Sequence, residues 1–294
     1  MFSLLVAVST LSHAQTPKKA AELELASVNA MVIDLQDNEV LYSRNADVVV
    51  PIASVSKLMT AMVVLDDKAP MDEWIAVDIS KTREMKNVFS HVRIGSQLKR
   101  KDMLLLALMA SENRAAATLA HHYSKGYDAF IAAMNAKAKA LGMTHTHFVE
   151  PTGLSEKNVS TARDLARMVQ AANRYTLITQ LSTTPKKDMY FRKPNHVRAF
   201  YNTNPLVRAK SWDIAVSKTG FINEAGRCLV MLAEIQNKPT AVVLLDSFGK
   251  RSHFGDANRV KRWIETGQVS KVHPAARDYV QRKQKALLAQ RNAS

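Results

Sequence analysis

Ser54 and Lys57 stand three residues apart at the head of a run rich in Leu, Met and Ala that reaches Leu65. On a helix, positions i and i+3 share a face, so the lysine amine can reach the serine hydroxyl. A serine hydroxyl is a weak nucleophile until an adjacent base takes its proton. Lysine can be that base only where burial or a second cation lowers its pKa. A helix start adds positive potential that favours an anion developing on the serine. The chemistry this spacing suggests is covalent, with the serine attacking and the lysine carrying its proton. The same spacing recurs at Ser96/Lys99 and Ser247/Lys250, but only Ser54 opens an apolar helical run.

Two further constellations follow in order. Ser111-Glu112-Asn113 interrupts a helical pattern, 57 residues after Ser54. A loop there can aim a hydroxyl to relay a proton and an amide to grip a peptide. Lys218-Thr219-Gly220 lies 164 residues after Ser54, at the end of a strand pattern. A lysine and a hydroxyl on an edge strand suit a carboxylate, and Gly220 lets a backbone approach closely. The backbone N–H of Phe221, paired with that of Ser54, would form an oxyanion hole. Taken singly, each motif has an ordinary reading as helix cap, surface charge or turn. Their order, and the elements they fall on, point to one site.

The elements that must position this site are legible at low resolution. Val28–Ile33 and Glu39–Tyr42, joined through Asp37-Asn38, read as a β-hairpin. Helical patterns follow over Ser54–Leu65, Lys101–Ala110, Arg114–Tyr123, Tyr127–Leu141 and Thr161–Tyr175, the last capped at Ser160 or Thr161. Ile214–Ser217, Cys228–Ile235 and Thr240–Leu245 read as strands, with a turn at Asn237-Lys238-Pro239. A helix from about Ala257 to Glu265 stops at Gly267. The pattern predicts a mixed α/β fold. Its antiparallel sheet of about five strands is shared by both ends of the chain and flanked by helices, with an all-helical subdomain inserted at about 78–200.

Composition narrows the function classes. The chain has 294 residues and a formal net charge of +15. Such a charge seeks anionic partners, but no helix-turn-helix, zinc-finger or aromatic-basic RNA signature accompanies it, and no nucleic acid is expected. Residues 1–14 combine a short apolar run with Ser12-His13-Ala14, which reads as a secretory signal peptide. Cys228 is the single cysteine and sits in an apolar run, so it reads as a core residue. Adjacent histidines such as His121-His122 point in different directions on a helix, and no carboxylate completes a ligand set there or at His145/His147, so no metal is expected. Residues 271–294 form a basic tail with little core-forming content, suited at most to loose contact with a membrane surface or wall polymer.

The set Ser-x-x-Lys, Ser-x-Asn, Lys-Thr-Gly resembles the penicillin-binding proteins. The stretches Pro51–Leu65, Lys101–Ala117 and Lys218–Gly226 carry the likeness to the low-molecular-mass, serine-type D-Ala-D-Ala peptidases, and more narrowly to endopeptidases of the penicillin-binding protein 7 type. It runs from about Ser27 to Gly267. The resemblance implies that Ser54 forms the acyl-enzyme, Lys57 is its base and Ser111 passes the proton to the leaving amine. It implies that Asn113 holds the substrate amide and orients Lys57, and that Lys218 and Thr219 bind the carboxylate beside the cleaved bond. No cofactor is implied. The substrate would be peptidoglycan peptides, β-lactam antibiotics would be covalent inhibitors, and the location would be periplasmic. Only 27 residues follow Gly267, too few for the C-terminal β-domain that carboxypeptidases of the family generally carry. A cross-link-cleaving endopeptidase is therefore expected over a carboxypeptidase. A class A β-lactamase needs a deacylating glutamate, but Glu150-Pro151-Thr152-Gly153 does not resemble that family's Glu-x-x-Leu-Asn, so Glu150 is expected to be a structural loop residue. A non-catalytic wall-binding protein is opposed by the intact Ser54, Lys57, Ser111 and Lys218.

Overall fold

The computed structural model describes residues 23–86 and 88–293; the signal-peptide expectation lies outside them. The framework is an antiparallel sheet built from β1 (Ser27–Asp34) and β2 (Glu39–Arg44) at one end of the chain. The last three strands complete it. Between lie β3 (Val50–Pro51), α1 (Lys57–Asp66), β4 (Trp74–Ala76), β5 (Gln97–Lys99), α2 (Arg100–Met109), α3 (Asn113–His121) and α4 (Tyr127–Ala140). The insertion continues through β6 (Val159–Ser160), α5 (Ala162–Ala172), α6 (Thr176–Ser182), β7 (Lys186–Phe191) and β8 (His196–Tyr201). The chain then returns as β9 (Asp213–Ile222), β10 (Gly226–Ile235), β11 (Lys238–Ser247), α7 (Ser252–Thr266) and α8 (Pro274–Ala293). The strand order is β2-β1-β11-β10-β9, which leaves β9 at an edge.

The two central strands of the closing hairpin are apolar at consecutive positions because both faces of the sheet are covered. One face joins α1 and α5 in the larger core, where Met31, Val230, Val243 and Leu58 are fully buried. The other packs Leu229, Met231 and Leu244 against Ala257 and Val260 of α7. The β10–β11 turn falls on Gln236 and Asn237, at φ of +53° and +60°, so Lys238 and Pro239 already belong to β11. A two-residue turn with positive φ at both positions matches the twist of its strands.

Two expectations change. The insertion is not purely helical; it also carries the antiparallel ribbons β4–β5 and β7–β8. Only Met189 and Phe191 of β7 are buried, so the apolar alternation that marks a strand is nearly absent from its sequence. Residues 271–294 are not a tail without core content either. Val272, Ala276 and Val280 are buried at i, i+4 spacing, and Tyr279 Oη donates to Asp246 Oδ1 at 2.5 Å. Lys283 pairs with the same carboxylate at 3.0 Å, which docks α8 onto the sheet.

Candidate active site

Ser54 lies on a 3₁₀ turn, Ala53–Ser56, that runs directly into α1. The helix itself therefore starts at Lys57, three residues later than the sequence pattern suggests. The turn is strained, with Ala53 at φ +48°, and is held from below by a buried loop. Glu150 forms the centre of that loop. Its Oε2 accepts from Thr152 N and Thr152 Oγ1, both at 2.6 Å, and its Oε1 from Gly153 N at 2.6 Å and Asn158 Nδ2 at 3.1 Å. Asn158 Nδ2 also donates to Ser56 Oγ at 3.1 Å, and Thr60 Oγ1 to Pro151 O at 2.7 Å. Gly153, at φ +79°, lies so close that a Cβ there would sit 1.9 Å from Ala53 O. The carboxylate of Glu150 is thus spent on shaping the loop, as expected of a structural residue.

Lys57 is fully buried, and its Nζ lies 2.8 Å from Ser54 Oγ, 2.7 Å from Asn113 Oδ1 and 2.6 Å from Thr152 O. Removal from water brings its pKa down to about 7, although Glu150 and Glu112 pull the other way. A neutral amine has two N–H bonds and one lone pair. The amide oxygen and the carbonyl can only accept, so they take the two N–H bonds. The lone pair is left facing the Ser54 hydroxyl. Burial is what chiefly lowers Lys57, whose ammonium and that of Lys218 repel each other. Lys218 is held well below the ordinary ammonium range, first by burial and second by Lys57.

Ser111 occupies the break between α2 and α3, at φ +58°. Lys218 Nζ donates to Ser111 Oγ at 2.8 Å and to Thr219 O at 2.8 Å. Lys218, Thr219 and Gly220 lie inside β9, not at the end of a strand. A Cβ on Gly220 would come within 3.1 Å of Ser54 N, so the glycine lets β9 press against the serine turn. Thr219 Oγ1 meets Thr203 Oγ1 at 2.6 Å. Phe221 follows, exposed at the rim, with Arg227 stacked 3.8 Å from its ring centroid.

Ser54, Ser111, Asn113, Thr219, Gly220 and Phe221 line a single cleft of about 620 Å³, with Lys57 and Lys218 buried behind Ser54 and Ser111. All eight residues singled out by type and spacing are thereby brought together. Those missed are Thr152, whose carbonyl aims Lys57, and Thr203, Arg208, Arg227 and Arg251 on the walls. A Pro-Thr-Gly turn was the only local signal for the first; the others carry none. Cys228 is fully buried and its thiol is pushed up to about 12 by burial, consistent with a core role. His121 and His122 diverge, the first toward Asp78 and Tyr127, the second to Ala76 O.

The profile of the D-alanyl-D-alanine carboxypeptidase family matches residues 14–249. The chain belongs to that family. Within it, the chain is 57% identical to a D-alanyl-D-alanine endopeptidase of Pseudomonas aeruginosa, over 94% of this chain and 90% of that protein. It is 59% identical to the Escherichia coli D-alanyl-D-alanine endopeptidase, over 91% and 86%. Among solved structures, the Streptomyces K15 DD-transpeptidase superposes with a TM-score of 0.76 at 25% identity, covering 83% of this chain and 98% of that one. Penicillin-binding protein D2 of Listeria monocytogenes, in a cefotaxime-bound form, gives 0.71 at 28%, covering 84% and 98%. This family of serine D-Ala-D-Ala peptidases fits the geometry of the cleft and the mixed α/β fold around it.

Proposed function

We propose that the protein is a serine D,D-endopeptidase that hydrolyses the bond between D-Ala and the D-centre of a diamino acid in peptidoglycan cross-links. The observation that carries this reading is the buried Lys57 amine, 2.8 Å from Ser54 Oγ, with its two N–H bonds directed at Asn113 Oδ1 and Thr152 O. Ser54 attacks the D-Ala carbonyl while Lys57 takes its proton. The backbone N–H groups of Ser54 and Phe221 receive the oxyanion. Ser111, hydrogen-bonded to Lys218, hands a proton to the leaving amine and recovers one from Lys57, which is thereby a free base again. Lys218 and Thr219 hold the carboxylate next to the cleaved bond, and Asn113 holds the substrate amide. Water, deprotonated by Lys57, then releases the acyl-enzyme. The names of the two relatives near 60% identity support cross-link cleavage over removal of a terminal D-Ala. Glu150, with both oxygens occupied, lends no support to a β-lactamase.

The action on cell wall and the apolar start of the chain support a periplasmic location after export. Among the described residues no helix is long and apolar enough to cross a membrane. Penicillin is expected to acylate Ser54 and stay. Intact-protein mass spectrometry after incubation with penicillin should show one adduct on Ser54, absent from Ser54→Ala. Folded protein that gains no adduct would refute the nucleophile. Chromatography of digested wall fragments should show cross-linked dimers disappearing; loss of terminal D-Ala alone would replace endopeptidase by carboxypeptidase.

A further inference from the structure

Strand alternation divides the edge strand into two sides. Lys218 and Gly220 face Ser111 and Ser54. Thr219 and Phe221 face the other way, toward α7, as do their cross-strand partners Leu229 and Arg227. The cleft wraps over β9 onto that second side, where its wall is strongly cationic. Arg208, Arg227, Lys250 and Arg251 line it, and among the described residues no aspartate or glutamate does. None of the four is paired with a carboxylate among the described residues. Nor does the wall end with the cleft. A second hollow of about 250 Å³ adjoins it and shares Phe221, Arg227 and Lys250. Tyr279 of α8 lines its far side; among the described residues no acidic side chain lines it, and Asp246 behind Tyr279 is already paired with Lys283.

This surface lies on the Thr219 side, where the carboxylate next to the cleaved bond is placed under the proposed function. What leaves from that side differs between the two candidate reactions. A terminal D-Ala departs with one carboxylate and nothing beyond it. A cross-link departs as a whole peptide strand with further carboxylates along its stem. A cationic wall that continues past the cleft to Arg227 and Lys250 is of no use to the first product and complements the second.

We propose that Arg227 and Lys250, at the junction of the two hollows, bind a distal carboxylate of the departing strand. This contact lies one step beyond the carboxylate held by Lys218 and Thr219. Stacking on Phe221 fixes the Arg227 guanidinium at the junction before substrate arrives. The subsite rests on the endopeptidase reading and makes it selective: it rewards a cross-linked strand and ignores a free D-Ala.

The test compares full-length protein and its R227A/K250A double variant on three substrates. These are a cross-linked muropeptide dimer, the same dimer with the departing strand's distal carboxylates amidated, and a monomeric pentapeptide. Penicillin acylation reports the folded fraction of each protein. Wild-type protein should cleave the free-acid dimer about tenfold faster than the amidated one, the size expected for a charge-assisted hydrogen bond. In the double variant the ratio of dimer to pentapeptide cleavage should fall by a similar factor, and the preference for the free acid should vanish. Equal cleavage of both dimers by the wild type would overturn the subsite, as would an unchanged dimer-to-pentapeptide ratio in the variant. A wild type that is acylated by penicillin but leaves every dimer intact would instead overturn the endopeptidase reading, and the subsite with it.

Discussion

Lowering the pH should switch off acylation at a place fixed by the burial of Lys57. An exposed lysine has a pKa near 10.5, and burial brings this one to about 7. At about 1.4 kcal/mol per pH unit, the shift corresponds to about 5 kcal/mol of disfavoured charge. Near pH 7 about half of the molecules then hold a free amine, against roughly one in 3,000 for an ordinary lysine. The free-base fraction rises from about 3% at pH 5.5 to about 90% at pH 8, so the second-order rate of penicillin acylation should rise about thirtyfold and then level off. Stopped-flow acylation with a fluorescent penicillin across this range measures it directly. An ordinary amine would instead give a tenfold rise per unit continuing past about pH 9. A profile of that kind, or one flat from acid to neutral, would refute the derivation. Lys57→Arg supplies a second check, because a guanidinium cannot give up its proton. It should lose about a thousandfold or more in acylation. The same shift has a stability consequence. The unfolded chain binds the extra proton between about pH 7 and 10.5, so this group's contribution to stability rises with pH through that window.

Two predictions concern the loop beneath the serine. Gly153→Ala would put a methyl group 1.9 Å from the Ala53 carbonyl oxygen, at a φ that disfavours side chains. It should cost about 3 kcal/mol or more in urea unfolding and slow acylation as the Ser54 turn shifts. Glu150→Gln replaces an acceptor of several buried donors with a group that cannot satisfy them all. A loss of about 2–4 kcal/mol is expected, with no lengthening of the penicilloyl-enzyme lifetime in the protein that remains folded. A markedly longer lifetime would make Glu150 a deacylating base and reopen the β-lactamase reading.

The chemistry of the site was legible because its residues are constrained locally. Ser54 and Lys57 sit one turn apart, Ser111 and Asn113 flank a helix break, and Lys218 to Phe221 occupy consecutive strand positions. Each spacing expresses a backbone period. What escaped notice depends on contacts between distant segments. Thr152 reaches Lys57 across 95 positions, and its local sequence says only that a turn is present. The cause of the lowered lysine was also out of reach, because a neighbouring cation can be guessed from sequence whereas complete burial cannot. The strands β7 and β8 escaped because Tyr190, Val197 and Tyr201 point to solvent and blur the alternation. The last helix was discounted for its polarity, yet Ala276 and Val280, one turn apart, bury one face of it, and Val272 packs just ahead of its start.

A sheet that ends on β9 has a strand neighbour on one side only. Such rims tend to recruit a strand from another molecule and so seed aggregation. Under the proposed function this rim stays open, so that a peptide can lie against it beside Ser54. The cations around it resolve the conflict. Two copies of a chain carrying +15 repel each other as their rims approach, and Arg208, Arg227 and Lys250 concentrate that repulsion where self-pairing would start. An acidic strand meets the opposite force. Under the proposed function, the charge that draws in the cell-wall peptide also opposes self-pairing along the active-site rim.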